Sequence, residues 1–319
     1  MNVHLTFDIE VWCSGWDQLD QSFPASFERY VYGKSAHGQY ALPKTLEILN
    51  QNGLKGVFFV EPLFAARFGI EYLSTIVALI RGAGQDVQLH LHPEWTDEIS
   101  PPIIQDVSAK RQHLCYYTLQ EQTELIAFGK HLLEQAGCEK VTAFRAGSFA
   151  ANRNTLLALG RNGILIDSSL NSCYAISGAD LRDGHSFEAP SCIDGVSMFP
   201  VTVFTDGTGR ARPAHIGACS FGEMKEALWS AKALGHSDFV MVSHNFEMLK
   251  PDSSTPSWTV VRRFEQLCAY LAQEKFDLPV TGYRALETTT SRSPDHPRPF
   301  TKFGSTMRRH AEQLISRIG

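Results

Sequence analysis

Short apolar runs alternate along this chain with longer segments whose apolar residues recur at helical spacing. The runs predict strands, and the intervening segments predict helices that would each cover one face of a sheet. Repeated strand–helix units without a repeated sequence motif favour a single α/β domain with a parallel, barrel-like sheet. The predicted strands cover residues 3–10, 56–60, 86–92, 141–145, 163–167, 239–243 and 279–280, and the predicted helices cover 42–49, 73–82, 119–135, 153–161, 222–234 and 260–273.

Two segments interrupt this alternation. Residues 11–40 form a long connection that is rich in aromatic side chains, so we expect a lid over the end of the first strand, with a packed surface loop as the alternative. Residues 171–220 are rich in turn formers. Within them, Asp194-Gly195 predicts the turn of an inserted hairpin, with Val196 to Phe204 as one arm.

Composition narrows the class of protein. The 319 residues carry 29 Lys and Arg against 34 Asp and Glu, a net charge of −5, which lacks the basic footprint of a nucleic-acid-binding protein. The 7 cysteines show no C-x-x-C spacing, which favours reduced thiols and a cytoplasmic location. Neither a signal peptide nor a run of about 20 apolar residues is present, so we expect no export signal and no membrane span.

The first strand ends in two carboxylates, Asp8 and Glu10. Because side chains alternate along a strand, both acids project to the same side. Two like charges this close call for a metal ion, an arginine or a shared proton. The alternative is a solvated strand end whose acids merely face water.

A second strand ends in His90-Leu91-His92, where the two imidazoles also share one side. Together with Glu10 they would form the three-ligand set of an open catalytic metal site. Glu94 is an alternative ligand, four residues after His90. Pro93 keeps the preceding His92 extended, which favours His92 over Glu94.

Three further predicted strands also end in polar residues. Arg145 precedes a small-residue turn at Ala146-Gly147-Ser148 that could bring backbone N–H groups to an oxyanion, although a surface ion pair is the alternative. Asp167 could orient Arg145 or cap a helix, and His244 could protonate a leaving group. Active sites of βα barrels are built at these strand ends.

In chain order, these segments resemble the motifs of the polysaccharide deacetylase family, the NodB-homology domain. The resemblance covers residues 1 to about 285 and implies a distorted (β/α)7 barrel that removes an acyl group, usually N-acetyl, from an amino sugar with the help of one divalent metal ion, zinc being favoured. The matching segments are Thr6-Phe7-Asp8-Ile9-Glu10, His90-Leu91-His92-Pro93-Glu94-Trp95, Phe144-Arg145-Ala146-Gly147, Ile166-Asp167-Ser168-Ser169 and Ser243-His244-Asn245.

The resemblance also implies residue roles. Asp8 matches the catalytic base and Arg145 the arginine that holds it, while His244 matches the general acid. Glu10 and His90 match metal ligands, and the backbone N–H of Ser148 matches an oxyanion donor. The remaining catalytic-site candidate is Asp167.

Two departures from the family pattern leave the third ligand open between His92 and Glu94. Ile9 separates acids that are adjacent in many members, and the usual second motif spaces its histidines by four residues. Other hypotheses remain: an amidase or deformylase acting on a small or lipid-linked amide, or a catalytically silent carbohydrate-binding module. Metal content and activity on N-acetylated sugars distinguish among these three.

The composition of the C-terminal part differs from that of the predicted catalytic domain, residues 1–290. Residues 291–319 read as a Pro/Arg-rich linker and a short amphipathic helix. We expect this helix to dock on the body or on a neighbouring subunit, and we also consider a peripheral contact of residues 303–319 with the inner face of a membrane.

Overall fold

A computed structural model of the chain describes residues 1–181, 188–251, 255–284 and 297–318. Strands and helices alternate through most of the chain. The strands are Asn2–Ile9 (β1), Lys34–Ser35 (β2), Gly38–Gln39 (β3), Gly56–Val60 (β4), Asp86–Leu91 (β5), Ala143–Ala146 (β6), Ile166–Asp167 (β7), Ser191–Ile193 (β8), Val196–Met198 (β9), Val203–Thr205 (β10), Ala211–Pro213 (β11) and Asp238–His244 (β12).

The α-helices lie where helical spacing predicted them, with two additions, α1 and α3; the predicted C-terminal helix is α9. They are Leu19–Phe27 (α1), Leu42–Gln51 (α2), Ala65–Phe68 (α3), Ile70–Gly82 (α4), Leu119–Gln135 (α5), Arg153–Arg161 (α6), Phe221–Ala233 (α7), Trp258–Gln273 (α8) and Phe303–Ile318 (α9). Thr118, Asn152 and Ser220 start α5, α6 and α7 with capping boxes that satisfy free N–H groups of the first turn.

One curved sheet organises the molecule. Its strand order is β12-β1-β4-β5-β6-β7-β9-β8, and each neighbouring pair is parallel except the hairpin β8–β9. Residues 199–202 connect its two sides, because Phe199 N donates to Asp167 O at 2.7 Å and Thr202 N donates to Val240 O of β12 at 3.0 Å. The seven parallel strands and this connection form the predicted distorted barrel.

The sheet register brings the predicted strand ends together. Asp8 of β1 lies opposite His244 of β12, and His90 of β5 lies opposite Arg145 of β6. Central strands such as β4 are buried along their whole length, as expected for a parallel sheet with helices outside. The polar side chains of these strand ends therefore meet at one rim of the barrel.

The connection after β1 is more ordered than the lid loop that we expected. It contains α1, a π-helical turn at Glu28–Tyr32 and the short β2–β3 hairpin. Leu19, Phe23 and Phe27 of α1 are buried in the main core, where the Phe23 ring stacks on Phe68 at 3.8 Å. Many aromatic residues of this segment therefore pack in the core and do not cover the end of β1 as a lid would.

The inserted hairpin turns at Asp194-Gly195, as predicted, with positive φ at both residues. The predicted arm Val196 to Phe204 was too long. β9 ends at Met198, and Val203–Thr205 pairs instead with β11 in a separate two-stranded sheet. Pro200 and the buried Phe199 lie at this break, where the chain leaves β9 to reach β12.

The C-terminal helix α9 packs against α7 and α8. The predicted linker lies partly outside the described residues, since 285–296 are not described. Within the described part of the chain, no helix is both long and apolar enough to cross a membrane. All seven cysteines are free thiols, as the spacing predicted.

Candidate active site

Glu10, His90 and His92 converge at the rim of the barrel. One oxygen of Glu10, Oε1, lies 3.0 Å from Nε2 of His90 and 3.0 Å from Nε2 of His92. The three ligand atoms all lie within 4.8 Å of one another, and the three residues are buried. Two histidines and one carboxylate are a common three-ligand set for a catalytic zinc ion.

The outer contacts of these residues direct their free atoms inward. His90 donates from Nδ1 to the carbonyl oxygen of Arg145 at 2.8 Å, and His92 donates from Nδ1 to Glu94 Oε2 at 3.2 Å. Nε2 of each ring therefore points at Glu10 Oε1, and a proton or a cation between these atoms would balance the carboxylate charge. Trp12 fixes the carboxylate by donating from its indole to Glu10 Oε2 at 2.6 Å.

The pKa shifts of Glu10 and His92 also indicate that a positive charge belongs between these residues. Burial by itself raises the pKa of Glu10, but His92 and His90 outweigh it and hold the pKa well below its usual range. Burial lowers the pKa of His92, but Glu10 and Glu94 raise it well above its usual range. A proton or a divalent cation satisfies these atoms, so the donor set fits a metal ion, with Glu94 placed behind His92 rather than among the inward-facing atoms.

Asp8 and Arg145 form a buried ion pair beside this cluster. Nη1 of Arg145 donates to Asp8 Oδ1 at 2.7 Å, and both side chains are almost inaccessible to solvent. The guanidinium also donates to Thr6 Oγ1 at 2.8 Å and to Ser168 Oγ at 2.9 Å, and it lies over the ring of Phe59. This burial excludes the alternative of a surface ion pair for Arg145.

Asp167 does not perform the orienting task that the sequence suggested. It accepts hydrogen bonds from the backbone N–H and the hydroxyl of Ser169, at 2.9 and 2.6 Å, and burial raises its pKa to about 6. Its neighbour Ser168 makes the contact with Arg145. Asp167 therefore shapes the turn after β7, and the hydroxyl one residue later helps to hold the guanidinium.

His244 faces the same cleft and is held from behind by Glu247. Its Nδ1 donates to Glu247 Oε1 at 2.6 Å, and His215 Nε2 lies 2.9 Å from the same oxygen. Burial lowers the pKa of His244, but the hydrogen bond and charge of Glu247 outweigh it and raise the pKa to about 9. Single ligand atoms of Asp8, Glu10 and His244 lie within 4.8 Å of one another.

A cleft of about 850 Å³ surrounds these residues. Ser148 lines it in a left-handed conformation with φ 54°, as does Phe149 with φ 57°. Two successive non-glycine residues in this region are unusual and concentrate at functional sites. The aromatic side chains on the walls are Trp12, Trp16, Phe149 and Tyr174.

Gly147 is required by its contact with His92. A Cβ at this position would lie 2.6 Å from both Cε1 and Nδ1 of the imidazole. Atoms cannot approach this closely, so any other residue would displace the ring. The small-residue turn after β6 therefore makes room for His92 as well as shaping the cleft.

Several contributors were not found by sequence reasoning. Thr6 could have been found, because it lies two residues before Asp8 and therefore projects to the same side of β1. Trp12, His215 and Glu247 lie in irregular segments or at turns, where no periodicity indicates side-chain direction. Asn245, which follows β12, holds the end of β1 in place: it accepts a hydrogen bond from Glu10 N at 3.2 Å and donates one to Glu10 O at 3.1 Å.

Comparison with solved structures identifies the fold. A protein from Mycobacterium smegmatis, provisionally assigned as a polysaccharide deacetylase, superposes with a TM-score of 0.54 and 17% identity, covering 93% of this chain and 94% of that one. The fold expected from the resemblance is thus confirmed. No protein-family model and no curated protein sequence matches the chain.

Two more distant structures are also similar. A family 4 carbohydrate esterase from Streptomyces lividans in complex with acetate has a TM-score of 0.44 and 15% identity, covering 93% of this chain and 97% of that one. A CE4 family pseudoenzyme from Bacillus anthracis has a TM-score of 0.41 and 13% identity, covering 86% of this chain and 61% of that one. A shared fold does not by itself establish a reaction, so chemistry has to be argued from the site residues.

Proposed function

We propose that this chain, which has the fold of a polysaccharide deacetylase, is a metal-dependent hydrolase that removes an N-acetyl or other N-acyl group from an amino sugar. The observation that carries the proposal is the convergence of three elements in one cleft: the Glu10–His90–His92 donor set, the Asp8–Arg145 pair and His244. They supply the metal ligands, a base and an acid that amide hydrolysis uses.

Glu10, His90 and His92 would hold one divalent ion, for which zinc is favoured by the two imidazoles and one carboxylate. When bound, such an ion polarises an acyl carbonyl and lowers the pKa of water. Glu94 would act through His92, fixing the ring by accepting from Nδ1. This assignment makes His92 the third ligand and Glu94 its support.

Asp8 is placed to act as the general base. Arg145 donates to Oδ1, while Oδ2 has no hydrogen bond among the described residues and can take a proton from water. The water oxygen then bonds to the acyl carbon. The left-handed backbone at Ser148 would supply an N–H to the oxyanion.

His244 is placed to act as the general acid. Glu247 accepts the Nδ1–H and maintains the protonated imidazole at neutral pH, since the pKa of His244 is about 9. The proton on Nε2 would pass to the amide nitrogen as the C–N bond breaks. The products are a carboxylate and a free amine, so protons and electrons balance.

The residues that line the cleft favour a sugar as the part of the substrate that bears the acyl group. Trp12 and Tyr174 offer apolar faces, and Gln112 and His113 offer polar groups. This combination of a few aromatic surfaces with directional polar groups is typical of a small-molecule site of this volume.

The proposal includes the setting of the reaction. The substrate is an N-acylated amino sugar in a glycan or a glycan precursor, and the protein acts in the cytoplasm. A peripheral contact of residues 303–319 with the inner face of the membrane would bring the cleft to lipid-linked precursors.

The direct test is acetate release from N-acetylglucosamine oligosaccharides by the zinc-loaded chain and by Asp8→Asn. We expect the substitution to lower kcat/KM by roughly 10²–10⁴-fold, because it removes the base and keeps the side-chain shape. Bound metal should stay at the wild-type level. Equal rates would contradict the proposal, release of formate only from formylated amides would favour the amidase alternative, and binding without hydrolysis would favour a silent carbohydrate-binding module.

A further inference from the structure

The C-terminal helix α9 docks through its polar side. Arg309 is 3% exposed and donates from Nη2 to Asp206 at 3.1 Å and from Nε to Glu223 at 3.0 Å. Thr306, on the same side, accepts a hydrogen bond from Gly207 N at 2.9 Å. A surface helix normally turns its apolar stripe to the core, so this orientation is the reverse of the usual one.

The apolar side of α9 consequently faces solvent. Phe303, Met307, Ala311 and Leu314 recur at helical spacing, and all four are exposed. Phe303 and Leu314 are each 60% exposed, and Phe300, just before the helix, is 59% exposed. We call Phe300, Phe303, Met307 and Leu314 the apolar ridge.

A cationic cleft of about 290 Å³ adjoins this helix, between α8 and α9. Arg262, Arg263 and Arg308 line it. Among its described lining residues the one carboxylate is that of Glu312, which accepts from Arg263 Nε at 2.8 Å and Arg308 Nε at 3.1 Å, so three positive charges face one negative charge. Arg262 is exposed and forms no hydrogen bond or ion pair with any described residue.

We infer that the apolar ridge and the arginine cleft form one docking surface for an anionic phospholipid bilayer. The ridge would enter the boundary between headgroups and acyl chains, and the exposed Arg262 and Arg308 would contact lipid phosphates. The whole chain carries a net charge of −5, so attraction to anionic lipid has to come from this local surface. The inference specifies the membrane contact proposed above and does not depend on the chemistry of the cleft.

Charge argues against a second copy of the chain as the occupant. A two-fold interface built on the ridge would bring the same cationic rim from both subunits to one contact. Lys302 adds a further exposed cation next to Phe303. An anionic surface compensates these charges, whereas an identical subunit would not.

The test is flotation of the full chain with vesicles of phosphatidylcholine alone or with added phosphatidylglycerol. We expect binding only to the anionic vesicles, weakened by salt. The double variant Phe303→Ser/Met307→Ser should lower the partition coefficient by about tenfold or more, because it removes apolar area from the contact. The double variant Arg262→Ala/Arg308→Ala should lower the partition coefficient on anionic vesicles, because it removes two positive charges from the contact.

The matched control is Phe276→Ser, which removes a 90% exposed phenylalanine outside the ridge and should bind like wild type. Circular dichroism and thermal unfolding verify that each variant is folded. Binding by the ridge variant equal to wild type would overturn the inference, as would no binding to anionic vesicles at low salt. A concentration-dependent dimer that the ridge variant abolishes would identify a second copy as the occupant and also overturn it.

Discussion

At the scale of single residues, the candidate site depends on contacts behind the reactive atoms. His90, His92 and His244 each use Nδ1 in a hydrogen bond to a carbonyl or carboxylate, which directs Nε2 into the cleft. Sequence alternation predicted which residues share a side of a strand. It could not indicate which nitrogen of each ring faces inward, since that depends on partners distant in sequence.

Gly147→Ala tests the close packing of the His92 ring. We expect the new methyl group to displace the imidazole and to weaken metal affinity by roughly 10–100-fold, the range seen when a ligand's support is disturbed. Competition with a chelator of known affinity measures this. Gly160→Ala in α6 is the control, since a Cβ there meets nothing within 4 Å and should leave metal affinity unchanged; an unaltered affinity in Gly147→Ala would contradict the packing argument.

Glu247→Gln tests the support of His244. The folded-state pKa of His244 is about 9 because Glu247 outweighs burial, so the protonated acid is present below pH 9 and is lost above it. Removing the charge should lower this pKa and shift the basic limb of the kcat/KM profile to lower pH, with a loss of about tenfold or more at pH 8.

The control for that profile is Glu265→Gln, which removes the same charge from an exposed position of α8. It should retain the wild-type basic limb. A basic limb that stays in place in Glu247→Gln would show that Glu247 does not set the protonation of His244.

At the scale of elements, helical spacing predicted the main helices well, and the exceptions have physical causes. The segment after β1 forms α1 despite Pro24, because its buried phenylalanines pack on α3 and α4. Glu61 also follows a strand, yet it accepts from Leu63 N and burial raises its pKa to about 8. Glu61 does not line the cleft, so a polar residue at a strand end is not by itself evidence for a place in the site.

Arg309→Ala tests the docking of α9 at this scale. The change leaves the carboxylates of Asp206 and Glu223 buried without their cation, so we expect unfolding free energy to fall by about 3–5 kcal/mol. Urea denaturation measures the loss. Arg308→Ala, which breaks only an exposed pair with Glu312, should change stability by about 0–1 kcal/mol, and equal losses in the two variants would contradict this docking mode.

At the scale of the whole molecule, the sheet explains why residues distant in sequence meet. β1 lies between β12 and β4, so Asp8 and Glu10 are next to His244 of β12. On the other side, only β4 separates β1 from β5, which carries His90. The strand-end rule for parallel sheets anticipated this rim from the sequence. Residues 199–202, which connect the sheet to β12, were predicted as part of the hairpin arm Val196 to Phe204, because an alternating pattern does not show that these residues bond across the barrel.

The central claim is that Glu10, His90 and His92 hold one divalent metal ion while Glu94 only supports His92. The most direct measurement is metal content after zinc loading and gel filtration, for wild type and for Glu10→Ala, His92→Ala and Glu94→Ala. We expect about one equivalent in wild type, loss of nearly all of it in the first two variants, and an affinity about 10–100-fold weaker but a measurable site in Glu94→Ala. A folded wild-type chain that binds no divalent metal, or a Glu94→Ala variant that loses the ion while His92→Ala keeps it, would contradict the account.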